Sequence, residues 1–428
     1  MQHPSSFTDE PSHAGDADGE GVRVQKPRRA APADAVRPTR AEINLGHLRH
    51  NLRVVQRAVT ARPTEPGQEG PSRPAIFGVL KADAYGHGAP AIARTLERAG
   101  VDGICVALLE EGLELRSAGI VVPIVVMGGY YGPMHRGLED AVAGDLTPVL
   151  YEAGQLERLA SIARDRGARL GFHLKVDTNM ARLGVQPRDA EELFDRVAST
   201  PEVELTGLMS HLACADAADR EPTFAQLRVF ASVEEKARRA GLAPAVRHVA
   251  NSAGALAFER ARFEAIRPGI ALYGVSPFYG RGDLADEIAK LTAELRPVMR
   301  VRTEIVALRT LEDGDRVGYG HTWQAQGRRV IATVPMGYAD GLSRSLGNRG
   351  SILVRGRRAP IAGIVSMDLT TIDVTDVPGV RLGDEAVVLG SQETATITAD
   401  EIAELTGTIP WEVVTSISRR VPRFFREP

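Results

Sequence analysis

Cysteine is almost missing from this chain: Cys105 and Cys214 are the only two in 428 residues, and no C-x-x-C pair occurs. That excludes a disulfide framework and offers no zinc-ligand spacing, so no metal is expected and a reducing cytoplasm is the expected location. No apolar run approaches the roughly 20 residues that span a bilayer, and the amino terminus lacks the apolar core of a secretory signal. An excess of one charge is missing too. The net charge is −3, which gives no electrostatic footprint for nucleic acid or an anionic membrane, so neither is expected as a partner and the ligands are expected to be small. Neither G-x-x-x-x-G-K-[ST] nor a G-x-G-x-x-G opening a helix is found, which argues against a nucleoside triphosphate or a dinucleotide.

What is there is ordinary for a globular protein, with 43% hydrophobic and 25% charged residues. Residues 1–37, rich in Pro, Asp, Glu, Ser and Gly, read as a disordered tail that cannot bury enough apolar surface to offset its ordering entropy. From 75 to 267, within an expected barrel domain of 38–280, short apolar segments alternate with helical stretches, the pattern of βα units and a parallel sheet. Eight strands are expected: 75–81, 103–108, 123–128, 147–151, 169–177, 205–211, 246–251 and 264–267. Between the first two, Ile92, Leu96 and Ala99 share a helical face and Gly100 stands where a C-terminal cap belongs. Eight units make a closed (β/α)8 barrel, an α/β fold of the TIM type, although the alternation alone also permits an open doubly wound sheet. Residues 281–428 read as a mostly β domain, in which only "TADEIAELTG" is expected to be helical, capped by Thr398. The segment from Pro277 to Asp286 is the expected linker.

In a (β/α)8 barrel the chemistry sits where strands end and βα loops begin. Every such end that carries a candidate is polar or ionisable: Lys81, Lys175 with Arg182 shortly after, His211, Asn251 with Ser252, and Arg267. One lysine after an apolar strand more often reaches solvent than catalyses; five converging ends are harder to dismiss. The loops after the last two strands, "ANSAGAL" and "RPGIALYG", are small enough for a backbone to approach a phosphate, with Ser252 and the amides of Gly269 and Ile270 as donors. A lysine with a lowered pKa near a phosphate site points to condensation with an aldehyde. Pyridoxal 5′-phosphate combines that aldehyde with one phosphate. A phosphosugar aldolase is the competing reading of the same residues.

The blocks "RPTRAEINLGHLRHNL", "VLKADAYGHG", "HLKVDTNMARLGV", "MSHLACAD", "HVANSAGAL", "IRPGIALYG", "DRVGYGHTW", "VPMGYADGL", "GIVSMDLTTIDV" and "WEVVTSISRRVPR" run in order over about residues 37–426. They resemble the bacterial alanine racemases, pyridoxal-phosphate enzymes with a barrel followed by a β domain. The resemblance implies interconversion of L- and D-alanine for peptidoglycan by a homodimer whose subunits complete each other's sites. It implies that Lys81 holds the cofactor and that Tyr85, Ser252, Gly269 and Ile270 contact the phosphate. Arg267 is implied to face the pyridine nitrogen. A guanidinium with a pKa above ~12 stays protonated and leaves that nitrogen unprotonated, so the ring is a weaker electron sink and Cα is reprotonated quickly. Racemisation needs an acid and a base on opposite faces. Lys81 is one, and by resemblance Tyr319 from the partner subunit is the other, with His211 as a relay to Arg267. Since a tyrosine of pKa ~10 is a poor base at neutral pH, neighbours are expected to lower it. Arg182 is implied to bind the substrate carboxylate, supported by Lys175, which many relatives carry carbamylated. Met367 is implied to offer its amide to the substrate, and Tyr338 to narrow the entrance.

The sequence departs from the family at several of these places. Trp411 stands where a phosphate-contacting tyrosine is usual, and an indole donates one hydrogen bond and accepts none, which bears on the preference for alanine over serine. Ile364 replaces a common arginine, Asn179 a glycine and Arg40 an aromatic. A broader or serine-specific racemase, and a non-catalytic protein holding the same cofactor, are the alternatives; the second would need neither Tyr319 nor a domain to carry it.

Overall fold

The chain, described by a computed structural model over residues 36–60, 73–128, 130 and 135–427, is built on two sheets of different kind. The tail expected over 1–37 therefore falls, except for its last two residues, outside the described part. Runs such as 103–106 and 124–126, buried at every residue, suit strands covered on both faces. They form a parallel eight-stranded sheet of β2 (Ala75–Val79), β3 (Gly103–Val106), β4 (Ile124–Val126), β5 (Thr147–Leu150), β6 (Leu170–Lys175), β7 (Val203–Met209), β8 (Val246–His248) and β9 (Ala265–Ile266). β9 pairs with β2. The last gap is bridged by the Arg267 amide, which donates to the Ala250 carbonyl at 2.9 Å, and by Arg247, whose Nε donates to the Glu264 carboxylate at 2.8 Å. The sheet is thereby nearly closed into the expected barrel. The first crossover helix, Ala89–Arg98, buries Ile92 and Leu96, and Gly100 follows it at φ 83°, as its cap position requires.

The second sheet has seven strands: β16 (Arg357–Pro360), β15 (Ser351–Val354), β18 (Glu385–Gln392), β10 (Met299–Glu304), β1 (Arg40–Asn44) and β20 (Arg423–Arg426) in that order, with β19 (Ala395–Ile397) also on β18. β11 (Ala307–Leu311), β14 (Arg329–Val334) and β17 (Thr370–Asp373) make a separate three-stranded sheet, and β12 (Arg316–Val317) pairs with β13 (Trp323–Gln324). A sequence boundary at 280 misplaces β1, which lies between β10 and β20 rather than in the barrel. The cause is electrostatic as well as apolar: buried Glu42 of β1 accepts from Arg302 at 2.8 Å, Arg426 at 2.6 Å and Arg300 at 3.1 Å, all three on the neighbouring strands of this sheet. Arg40 also pairs with Glu42 and lies over the Phe424 ring, a cation–π contact available only on this sheet.

The helix expected at 398–407 is present as Ala399–Thr406, with Thr398 accepting from the Glu401 amide. Two further helices, Asp286–Ala293 and Pro410–Ser416, were not expected. The first buries none of its residues, and the second is only seven residues long, so neither shows a helical period strongly. The second bears on the site, because it lies against the loop that follows β2.

Candidate active site

Lys81 begins a six-residue turn that no sequence rule anticipates: Ala82, Asp83, Ala84 and Tyr85 all have φ of 54°. Left-handed backbone costs an L-residue about 1–2 kcal/mol, and none of the four is glycine, so the surroundings must impose it. They do so from several directions. Glu111 accepts from the Ala82 amide at 2.6 Å and Asp83 from the Ala89 amide at 2.7 Å. The buried His87 ring donates from Nδ1 between the carbonyls of Ala84 and Tyr85, and Arg423 of β20 donates to the Gly86 carbonyl at 2.9 Å. A Cβ on Gly86 would stand 2.6 Å from the Val414 carbonyl, so helix Pro410–Ser416, which carries the half-buried Trp411, packs directly on this turn. Glu111 and Arg423 were missed by sequence reasoning, since each works through the backbone of a distant segment.

The expected strand-end residues meet over the carboxyl end of the barrel. Lys81 has its pKa lowered, first by burial, then by Arg182 and Arg267, with Glu111 opposing them. Lys175, 7% exposed, is pushed down to about 8 by burial and by Arg182 and Arg267. His211 is held down at about 3 by burial and the same cations, so it is a neutral ring whose Nδ1 lies 3.4 Å from Arg267 Nη2. Arg182 follows a tight turn in which the Asp177 carboxylate accepts from the amides of Asn179, Met180 and Ala181. Asn179 takes φ 94° there, a conformation asparagine tolerates better than most residues, which accounts for its standing in a glycine's place.

Arg267 is the best-determined group. It is 2% exposed, and its pKa is pushed down only to about 10 by burial, so it remains a cation at neutral pH. Nη1 donates to His248 Nδ1 at 2.7 Å and to the His248 carbonyl at 2.6 Å; Nη2 donates to the Ser210 carbonyl at 2.7 Å and faces Val249 O and His211. Nε donates to none of the described residues.

At the other side of the mouth, Ser252 opens helix Ser252–Ala257, and its Oγ accepts from the Gly269 amide at 2.9 Å and the Ala271 amide at 3.4 Å. Asn251 is engaged as the helix cap, accepting from the Gly254 amide at 2.9 Å and donating to Leu212 O, so its side chain sets Ser252 in place. A Cβ on Gly269 would lie 2.4 Å from the Tyr85 hydroxyl, which brings that phenol against the same loop. Among the described residues neither the Tyr85 hydroxyl nor the Ile270 amide has a partner. Unengaged donors at Arg267 Nε, Tyr85 and Ile270, a serine hydroxyl and a lysine with a depressed pKa are the set that a pyridine nitrogen, a phosphate and an aldehyde require, so pyridoxal phosphate fits these residues.

The other expected residues are not brought to Lys81 within one chain. Tyr319 lies beyond β12 and is 73% exposed; Met367 and Tyr338 are 52% and 42% exposed. They do belong to one face of the second domain. The Tyr338 amide donates to Ser366 O and the Ala339 amide to Met367 O, both at 3.0 Å, and a Cβ on Gly318 would sit 3.8 Å from the Ile364 amide.

Family models for the alanine racemase N-terminal domain and C-terminal domain match residues 43–277 and 298–425. The chain is 61% identical over 398 residues to the alanine racemase of Sorangium cellulosum, covering 92% of this chain and all of that one. A crystal structure of alanine racemase from a D-cycloserine-producing Streptomyces lavendulae superposes with a TM-score of 0.82 at 34% identity, over 92% of this chain and 98% of that one. That of Bartonella henselae, with covalently bound pyridoxal phosphate, gives 0.77 at 28% identity over 91% and 99%.

Proposed function

This chain belongs to the alanine racemase family, and from that premise we propose how its residues divide the interconversion of L- and D-alanine. The enzyme is a pyridoxal-phosphate-dependent isomerase that supplies D-alanine for peptidoglycan. When bound, the cofactor supplies the electron sink that makes the proton at Cα of alanine removable. Lys81 holds the cofactor covalently. Its amine, when free, would exchange a proton at one face of Cα, and burial with the Arg182 charge lowers its pKa, which favours the neutral amine that a base requires. Tyr319 exchanges the proton at the opposite face. Arg182 binds the substrate carboxylate with the Met367 amide, and Tyr338 narrows the approach. Tyr85, Ser252 and Ile270 hold the phosphate, the Gly269 amide, expected as a further donor, instead setting the Ser252 hydroxyl in place, with Trp411 on the adjacent helix, and Arg267 directs Nε–H at the ring nitrogen.

The observation that carries this reading is the junction of Lys81, Lys175, Arg182, His211 and Arg267 in one electrostatic field over the barrel mouth. The exposure of Tyr319, Met367 and Tyr338 on a single face supports a homodimer in which a second copy brings that face to the mouth. No described helix is long and apolar enough to cross a membrane, and the reading places the enzyme in the cytoplasm. Purified protein reduced with borohydride should carry a pyridoxyl group on Lys81 and on no other lysine. Tyr319→Phe should slow proton removal from L-alanine far more than from D-alanine; equal, modest losses in both directions would remove Tyr319 from the role. A broader specificity is the second reading, favoured by Trp411 on the helix that packs against the Lys81 turn. It predicts serine turnover comparable to that of alanine, lost in Trp411→Tyr.

A further inference from the structure

The barrel core holds a histidine that the scheme above leaves without a part. His173, on β6, is 5% exposed, and its Nδ1 lies 2.9 Å from Nε2 of His248, itself fully buried. The proton positions along this contact follow from Arg267. A guanidinium only donates, so His248 Nδ1, at 2.7 Å from Nη1, bears no hydrogen. Burial and the Arg267 charge keep the His248 ring neutral, so its one proton is on Nε2 and donates to His173 Nδ1. The order is therefore fixed: Arg267 donates to His248, and His248 donates to His173.

The backbone is shaped to seat that last ring. β6 and β7 pair Phe172 with Leu205 and His173 with Gly207, so Thr206 is an extra residue, a bulge opposite the imidazole. A Cβ on Gly207 would fall 2.3 Å from His173 Cδ2, so the ring occupies room that only glycine leaves. The hydrogens on Nη1 are directed at His248 Nδ1 and O and those on Nη2 at Ser210, with Val249 and His211 more distant, and together these contacts set the plane of the guanidinium and the direction of Nε–H.

We propose that His173 is a positioning residue for Arg267: by accepting from His248 Nε2 it fixes the orientation of the His248 ring, which holds the guanidinium with Nε–H aimed at the cofactor's ring nitrogen. The inference rests on the racemase reading for its consequence, but the proton order is a property of the chain alone. Without the acceptor, the His248 Nε2 proton is left buried without a partner, and the ring turns to find one, drawing Nδ1 off the Arg267 donor and letting the guanidinium turn away.

His173→Leu and His173→Asn test this. They are nearly the same size, but asparagine Oδ1 stands where Nδ1 stood and still accepts. Long-range proton–nitrogen NMR of the ¹⁵N-histidine holoenzyme should show a hydrogen-bonded Nε2–H on His248 in the wild type and in His173→Asn, and an Nε2–H shifted upfield by loss of that bond in His173→Leu. Turnover in His173→Leu should fall roughly tenfold in both directions with little change in KM, with an altered absorption band of the bound cofactor, and His173→Asn should restore most of it. Equal losses in both variants would overturn the proposal, as would Nδ1–H on His248 in the wild type, a result that needs no variant to fold. If the wild-type tautomer is as stated but the holoenzyme does not racemise alanine, it is the functional reading that fails.

Discussion

Acid should destabilise this protein through histidines that are buried neutral. His87 is fully buried, its Nδ1 proton shared between two carbonyls and its Nε2 without a partner, and burial holds its pKa at about 4. His173 is held at about 4 by burial and by Arg267. An unfolded histidine titrates near 6.5. Between pH 6.5 and 4 the unfolded chain therefore binds protons that the folded one refuses, and stability falls as pH falls through that window. At pH 5 each ring contributes a loss of about 2 kcal/mol relative to pH 7, about 4 kcal/mol for the pair, with His248 adding in the same direction. Against the roughly 5–15 kcal/mol that holds a typical domain, the loss is large. Urea unfolding at fixed protein concentration measures it, and carboxylates are separated out by comparison with His87→Gln, whose stability should depend on pH less steeply by about 2 kcal/mol between pH 7 and 5. The reasoning is refuted if that variant has the wild-type pH dependence, or if NMR titration of the folded protein finds His87 or His173 protonating near pH 6.

Gly269→Ala places a methyl 2.4 Å from the Tyr85 hydroxyl, whose ring is already stacked on Tyr273 at 4.8 Å, so the phenol must leave the phosphate loop. Its Kd for pyridoxal phosphate should rise on the order of 10- to 100-fold; unchanged reconstitution would show that the loop does not hold the phosphate. Lys175, pushed down to about 8, presents a substantial neutral amine at pH 7.5 in a field of cations that favours an added negative charge. Addition of carbon dioxide with loss of one proton gives a carbamate, so intact-mass measurement under bicarbonate should find one carbon dioxide per subunit, absent in Lys175→Arg, and carbon dioxide depletion should lower turnover. Arg423→Met removes the donor to Gly86 O, Ser418 O and Val421 O. Melting temperature and cofactor affinity should fall together, by about 2–4 kcal/mol in stability; a loss of stability with full cofactor affinity would mean that β20 does not brace the Lys81 turn.

Much of this was legible in the sequence because it is written in local patterns. Short apolar runs punctuated by helices announced the barrel, and all eight expected strands have a counterpart. Polar residues at the strand ends announced the site, since in a parallel barrel the position after a strand is where a side chain can leave the packed interior without costing it. What the sequence could not carry was anything held from a distance. Four successive residues of the turn after Lys81 are left-handed without being glycine, and they are so because Glu111 and Arg423 tie the backbone from segments up to 337 residues away, with Asp83 and His87 bracing it locally. β1 left the barrel for the other sheet because the arginines that neutralise Glu42 are there. The proton order from Arg267 through His248 to His173 likewise needed the tertiary structure. A histidine's tautomer is decided by what its two nitrogens touch, and neither contact is a neighbour in the chain.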